Sequence, residues 1–169
     1  MPPSMGVRFR GSRSRDTART MSRENVEIVK RVQTSGVDLA ELFQASSLPD
    51  PAATGIDLAA FDSNFQTEFI ARRAGGSIPP SVARGVLGFA ESWRDWLEPW
   101  ESYYIEVEEL IDAGDEVVSL TRVRAKTTRD AVAVEHRPGA VWSLRDGKIV
   151  RVRFYLDREE ALEAVGLRE

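Results

Sequence analysis

GVLGFAESWRDWLEPWESYYIEVEELIDAGDEVVSL, residues 85–120, is the stretch whose reading decides the fold. Val86, Phe89, Ala90, Trp93, Leu97 and Trp100 recur at helical spacing, while Glu91, Arg94, Asp95 and Glu98 lie mainly off that stripe. The spacing predicts a helix over 82–98. Pro99 disfavours helical geometry at Glu98 and is expected to stop it. The period then changes to two. Ile105 and Val107 alternate with Glu106 and Glu108, which predicts a strand over 102–112. Ala113-Gly114-Asp115 reads as a hairpin turn into a second strand over 115–127. A helix that stops and feeds a long hairpin implies an α+β arrangement, with helices packed across one face of a sheet.

Toward the C-terminus the same reading gives strands over 131–145 and 148–156, joined at Arg145-Asp146-Gly147-Lys148, and a weaker turn at 127–130. Asp157 is a cap for a final short helix, DREEALEAVGL. In the last strand Val150, Val152, Phe154 and Leu156 point one way and Arg151, Arg153 and Tyr155 the other. The charged set reads as a solvated outer face or a dimer surface, where opposite charges pair for roughly 0.2–1 kcal/mol each.

Toward the N-terminus, Phe65, Thr67 and Phe69 alternate with Gln66, Glu68 and Ile70, predicting a strand over 64–71. RRAGGSIPPS, residues 72–81, reads as an exposed loop placed to cover a pocket mouth, and 46–55 as another loop. A helix begins after Met21, with Ser22 as N-cap, Glu24 in the first turn and an apolar stripe of Val26, Ile28, Val29 and Val32; Gly36 ends it. Asp38 and Asp57 each open a short helix. Residues 1–20 carry five arginines against Asp16, a local +4 in a chain of net charge −4. They read as a disordered basic extension ahead of a start at Met21, with a transit peptide or a nucleic-acid arm as alternatives. Residues 21–169 then form a single domain.

Composition excludes several functions. The 169 residues include no cysteine, so there is neither a disulfide framework nor a thiolate metal site, and the one histidine, His136, rules out a His-rich metal centre. No apolar run approaches the ~20 residues of a membrane span. The acidic remainder of the chain argues against nucleic-acid binding by the domain itself. The expected setting is cytoplasmic, with no membrane or nucleic-acid partner.

MSRENVEIVKRV, SWRDWLEPWESYYIEVEELIDAGDEVV and VWSLRDGKIVRVRFYLDREEALEAVGL together resemble the SnoaL-like branch of the nuclear transport factor 2-like superfamily, whose fold ketosteroid isomerases and polyketide cyclases share. The resemblance spans residues 21–167. It implies a cone of curved mixed or antiparallel sheet covered by about three helices, a central apolar pocket and frequently a homodimer on the outer sheet face. It also implies where chemistry sits. The isomerases' tyrosine late in the first helix falls on Gln33, their proton-moving carboxylate on Glu68, and the aspartate of the penultimate strand on Ala140. A base and a donor aimed at an oxyanion are both needed for that isomerisation, so the pattern departs from it.

Glu68 is therefore the candidate general acid or base. Arg122 and Arg124, on one strand face with Val118 and Leu120, are candidates for holding a substrate carboxylate or enolate. Trp96, Tyr104 and Trp142 are candidate pocket walls for a small hydrophobic or carbonyl-containing molecule, Trp93 and Trp142 also read as core, and His136 sits at a strand irregularity before Pro138-Gly139. The implied activity is a cofactor-free isomerisation, cyclisation or hydrolysis, with a non-catalytic ligand-binding or protein-interaction module as the alternative. No cofactor or metal is implied.

Overall fold

The computed structural model describes residues 19, 21–44, 57–70 and 82–168. The expectations for the basic extension, the 46–55 loop and a 72–81 pocket cover lie outside the described residues, Arg19 excepted.

Strand β1 is Val37–Asp38, β2 Phe61–Ile70, β3 Ala83–Arg84, β4 Trp100–Ala113, β5 Glu116–Thr127, β6 Ala133–His136, β7 Gly139–Arg145 and β8 Lys148–Tyr155. They form one mixed sheet in the order β1-β4-β5-β7-β8-β2-β3, with β6 paired to β5 off that path. The β2–β8 pair is parallel and the others are antiparallel. Helix α1 covers 21–32. Helix α2 is Leu39–Gln44, α3 Gly85–Leu97 and α4 Arg158–Ala164, with a single 3-10 turn at Leu58–Ala60. The molecule is thus α+β.

Local chemistry explains the joints. Gly114 turns β4 into β5 at φ 81°, and Asp146 and Gly147, at φ 51° and 75°, form the primed turn that matches strand twist between β7 and β8. Asp38 accepts from the Ala40 N–H at 3.0 Å, Asp57 from Ala59 at 3.1 Å and Asp157 from Glu159 at 2.8 Å, so all three aspartates cap as read. Gly85, at φ 67°, bends β3 into α3; a Cβ there would lie 3.2 Å from the Ser63 carbonyl oxygen.

Four local expectations change. Ser22 lies inside α1 and its hydroxyl donates to the Asp112 carboxylate, because the helix already includes Met21. Glu98 keeps helical dihedrals of −50° and −46° although Pro99 follows; α3 ends at Leu97 and a two-residue turn leads to Trp100 in β4. The expected helix at 57–61 is one 3-10 turn, since Phe61 is taken into β2. The expected strand over 131–145 is broken at Pro138, which has no N–H to give a ladder. As a result β5 pairs with β6 along one part of its edge and with β7 along the next.

The sheet has two faces with different cover. Val117, Val123, Trp142, Ile149 and Val152 point inward and pack with Val29 and Val32 of α1, Phe43 of α2 and Phe89, Trp93 and Leu97 of α3. Val118, Leu120, Val141 and Tyr155 point outward under Ala161 and Leu162 of α4. A bulge near Ser143 shifts the β7–β8 register, so Ile149 is fully buried where Val150 was expected. The rest of the outer face is charged. Arg122 and Glu106 are direct cross-strand partners at 2.8 Å, and Arg153–Glu116 and Arg158–Glu108 pair at 2.6 and 2.7 Å.

Candidate functional site

A cavity opens on the inner face between α3, the end of α1 and strands β2, β4, β5, β7 and β8. Its walls are aromatic because the twofold period of the strands and the helical period of α3 converge there. Phe69 stacks on Phe154 at 5.0 Å between centroids and on Trp96 at 5.9 Å. Trp93 meets Phe69 and Phe154 edge-on, at 5.3 and 5.0 Å. Such offset and edge contacts add about 0.5–1.5 kcal/mol per pair beyond burial, so this wall is held in shape. The empty space is about 480 Å³ counting its mouth, yet the centre of a water-sized sphere has only about 30 Å³ to move in. The cavity is a slit.

Polar groups enter it at three places. At its floor the Trp142 indole N–H donates to Ser119 Oγ at 2.9 Å, and the Ser119 hydroxyl donates to Gln33 Oε1 at 3.0 Å. Gln33 lines the slit, while Ser119 and Trp142 are buried beneath it. On the β4 side Tyr103 lines the slit and its hydroxyl lies 3.4 Å from His136 Nε2. Burial pushes the Tyr103 phenol up to about 12, with a Trp96 hydrogen bond pulling the other way, and burial lowers the His136 imidazole below its usual 6.5. Both groups are therefore neutral near pH 7. At the β5–β7 break Thr121 Oγ1 donates to the Pro138 carbonyl at 3.4 Å.

The residues singled out from the sequence separate into two sets. Trp96 lines the slit. Trp142 is buried under it and acts through its N–H rather than as wall. Glu68 points to the opposite face, because its neighbours Thr67 and Phe69 are the inward pair of β2; its carboxylate accepts from Arg151 at 2.7 Å. Arg122 and Arg124 share that outer face, both reaching Glu106, at 2.8 and 3.5 Å. Tyr104 is 49% exposed beside them. Ala140 lines the slit, and Trp93 is both core and wall. Among the described residues the slit is lined by no Asp, Glu, Lys, Arg or His, and no group of three His, Cys, Asp or Glu could hold a metal ion.

Tyr103, Phe69 and Phe154 are wall residues that the sequence reading did not single out as such. For Tyr103 the signal was present. In β4 the apolar Ile105 and Val107 alternate with Glu106 and Glu108, so Tyr103 continues the inward set and Tyr104 the charged one.

Comparison with known proteins gives the SnoaL-like domain family a match over residues 50–152. No curated protein matches the chain. Among solved structures, an NTF2-like protein from Burkholderia thailandensis is 24% identical with a TM-score of 0.54, over 76% of this chain and 87% of its own. A protein of ketosteroid isomerase-like fold from Catenulispora acidiphila, in complex with trimethylamine, is 13% identical with a TM-score of 0.51, over 83% and 93%. TerC, co-crystallised with polyporic acid, is 19% identical with a TM-score of 0.51, over 66% and 83%. At these identities the likeness is one of fold.

Proposed function

The chain belongs to the SnoaL-like family of the nuclear transport factor 2-like superfamily, and we propose that it uses the pocket of that fold to bind a small, flat, mainly apolar molecule. The observation that carries this reading is the Trp96–Phe69–Phe154 stack walling a slit too narrow for a bulky ligand. Aromatic side chains already fixed by their contacts with one another offer a planar guest a preformed apolar wall at little cost in side-chain entropy. The co-crystals of TerC with polyporic acid and of the Catenulispora protein with trimethylamine are instances of this fold holding small molecules.

Among the described residues no carboxylate lines the slit, so a general acid–base step there would fall to a group such as the Tyr103 phenol. The second reading is cofactor-free isomerisation, cyclisation or hydrolysis. It rests on Tyr103, a wall phenol backed by His136. A second copy of the chain on the charged outer face is the partner this reading adds; α4 covers only the part around Val118, Leu120 and Val141. Light scattering would give the mass.

The test of the binding reading is a titration with 1-tetralone, a flat ketone, followed by tryptophan fluorescence. Saturable quenching is expected, and Phe69→Ala should weaken it by at least the ~2- to 10-fold that one aromatic pair supplies. Linear, unsaturable quenching would remove the pocket reading.

A further inference from the structure

The floor of the slit has a fixed hydrogen-bond polarity. An indole N–H can only donate, whereas a serine hydroxyl has one proton and two lone pairs. Trp142 donates to Ser119 Oγ at 2.9 Å, and the serine proton is given to Gln33 Oε1 at 3.0 Å. Trp142 and Ser119 are 2% and 0% exposed, so water does not compete for these groups. The Gln33 amide oxygen is thereby engaged from below. Of its two amide hydrogens, one is directed at the Thr34 carbonyl at a long 3.3 Å. With its oxygen turned down to Ser119, the group that Gln33 presents to a molecule in the slit is its second amide N–H.

We propose that Gln33 is the specificity-determining donor of the pocket: it selects ligands that carry an acceptor oxygen, such as a ketone, quinone or ether, over apolar molecules of the same shape. Trp142 and Ser119 are positioning residues that hold the amide the right way round. A ligand offering only an N–H donor at this point would face a donor, and is discriminated against; a hydroxyl, which can also accept, is not. This rests on the reading of the slit as a ligand pocket and adds the chemistry of what enters it.

The experiment compares 1-tetralone with tetralin, the same ring system without the oxygen, by equilibrium dialysis against the full-length protein. The unaltered chain is expected to prefer 1-tetralone by about 3- to 10-fold, the range for one neutral hydrogen bond. Gln33→Leu removes the amide and should bring the ratio of the two affinities to about one. Ser119→Ala frees the amide to turn over, and should lower the preference with Gln33 still present. Trp142→Phe is the third variant, expected to act as Ser119→Ala does. A merely structural role would weaken both probes together and leave their ratio alone. If Gln33→Leu retains the preference, or if the unaltered chain binds both probes equally, the proposal is overturned and the pocket reading stands. If neither probe binds, both readings fail.

Discussion

His136 shows how burial alone gives a single residue a measurable pH signature. Burial lowers its pKa from 6.5, so the folded chain keeps the imidazole neutral where the unfolded chain is already protonated. Between the folded value and 6.5 the unfolded state binds the extra proton. The contribution is therefore complete above about pH 6.5 and is lost as pH falls through that window. We expect the Tm to drop between about pH 7 and pH 5, and His136→Gln to flatten that drop. Glu106 and Glu108, lowered by hydrogen bonds to Arg122 and Arg158, act only below 4.5 and do not confuse the result. Equal slopes for the two proteins would mean that His136 does not titrate differently on folding. The same scale shows what alternation can and cannot tell. It groups Glu68 with Gln66, and Arg122 with Arg124, correctly. Which group turns inward depends on where the helices dock, and that is not written in any one strand.

At the level of elements, α4 approaches β7 closely at Gly139. Gly139 is buried where Pro138 ends the break between β6 and β7, and a Cβ added there would lie 2.8 Å from the Ala161 Cβ and 3.4 Å from the Arg158 Cα. Neither neighbour is the free end of a flexible side chain, so the helix itself would have to move. Gly139→Ala is expected to destabilise by about 1–3 kcal/mol, the usual cost of overpacking, measured by urea denaturation. An unchanged midpoint would show that α4 rides loosely on the sheet. The α4 helix and its Asp157 cap were legible because a capping residue and an apolar pattern are local signals. The short edge strands β1 and β3 were not. Two residues have no period, and they are strands only because β4 and β2 lie beside them. The parallel β2–β8 pair was equally hidden, since its partners are far apart in sequence.

Over the whole molecule, one sheet separates stability from binding by face. The cavity opens on the inner face, while α4 is held on the outer face by a second buried cluster of Val118, Leu120, Val141, Tyr155, Ala161 and Leu162. Tyr155 is the buried side chain that belongs to both, at the rim. Truncating Leu162 to Ala should cost about 2–5 kcal/mol through the cavity left behind, yet leave the affinity for 1-tetralone within about twofold at temperatures where the protein remains folded. Ala140→Val should do the reverse. Ala140 lines the slit beside its cross-strand neighbour Phe154, and the added methyls take up the ~30 Å³ in which a guest must begin to fit. Probe binding is expected to vanish for a stability change of no more than about 1–3 kcal/mol. The two changes lie on opposite faces of the sheet with Tyr155 between them, so unless Tyr155 couples them their effects on the free energy of unfolding should add to within about 0.5 kcal/mol in the double variant. The outcome that would sink this separation is a loss of 1-tetralone affinity in Leu162→Ala as large as that in Ala140→Val. It would mean that the sheet transmits strain from α4 to the slit through Tyr155, and that binding is set by both faces together.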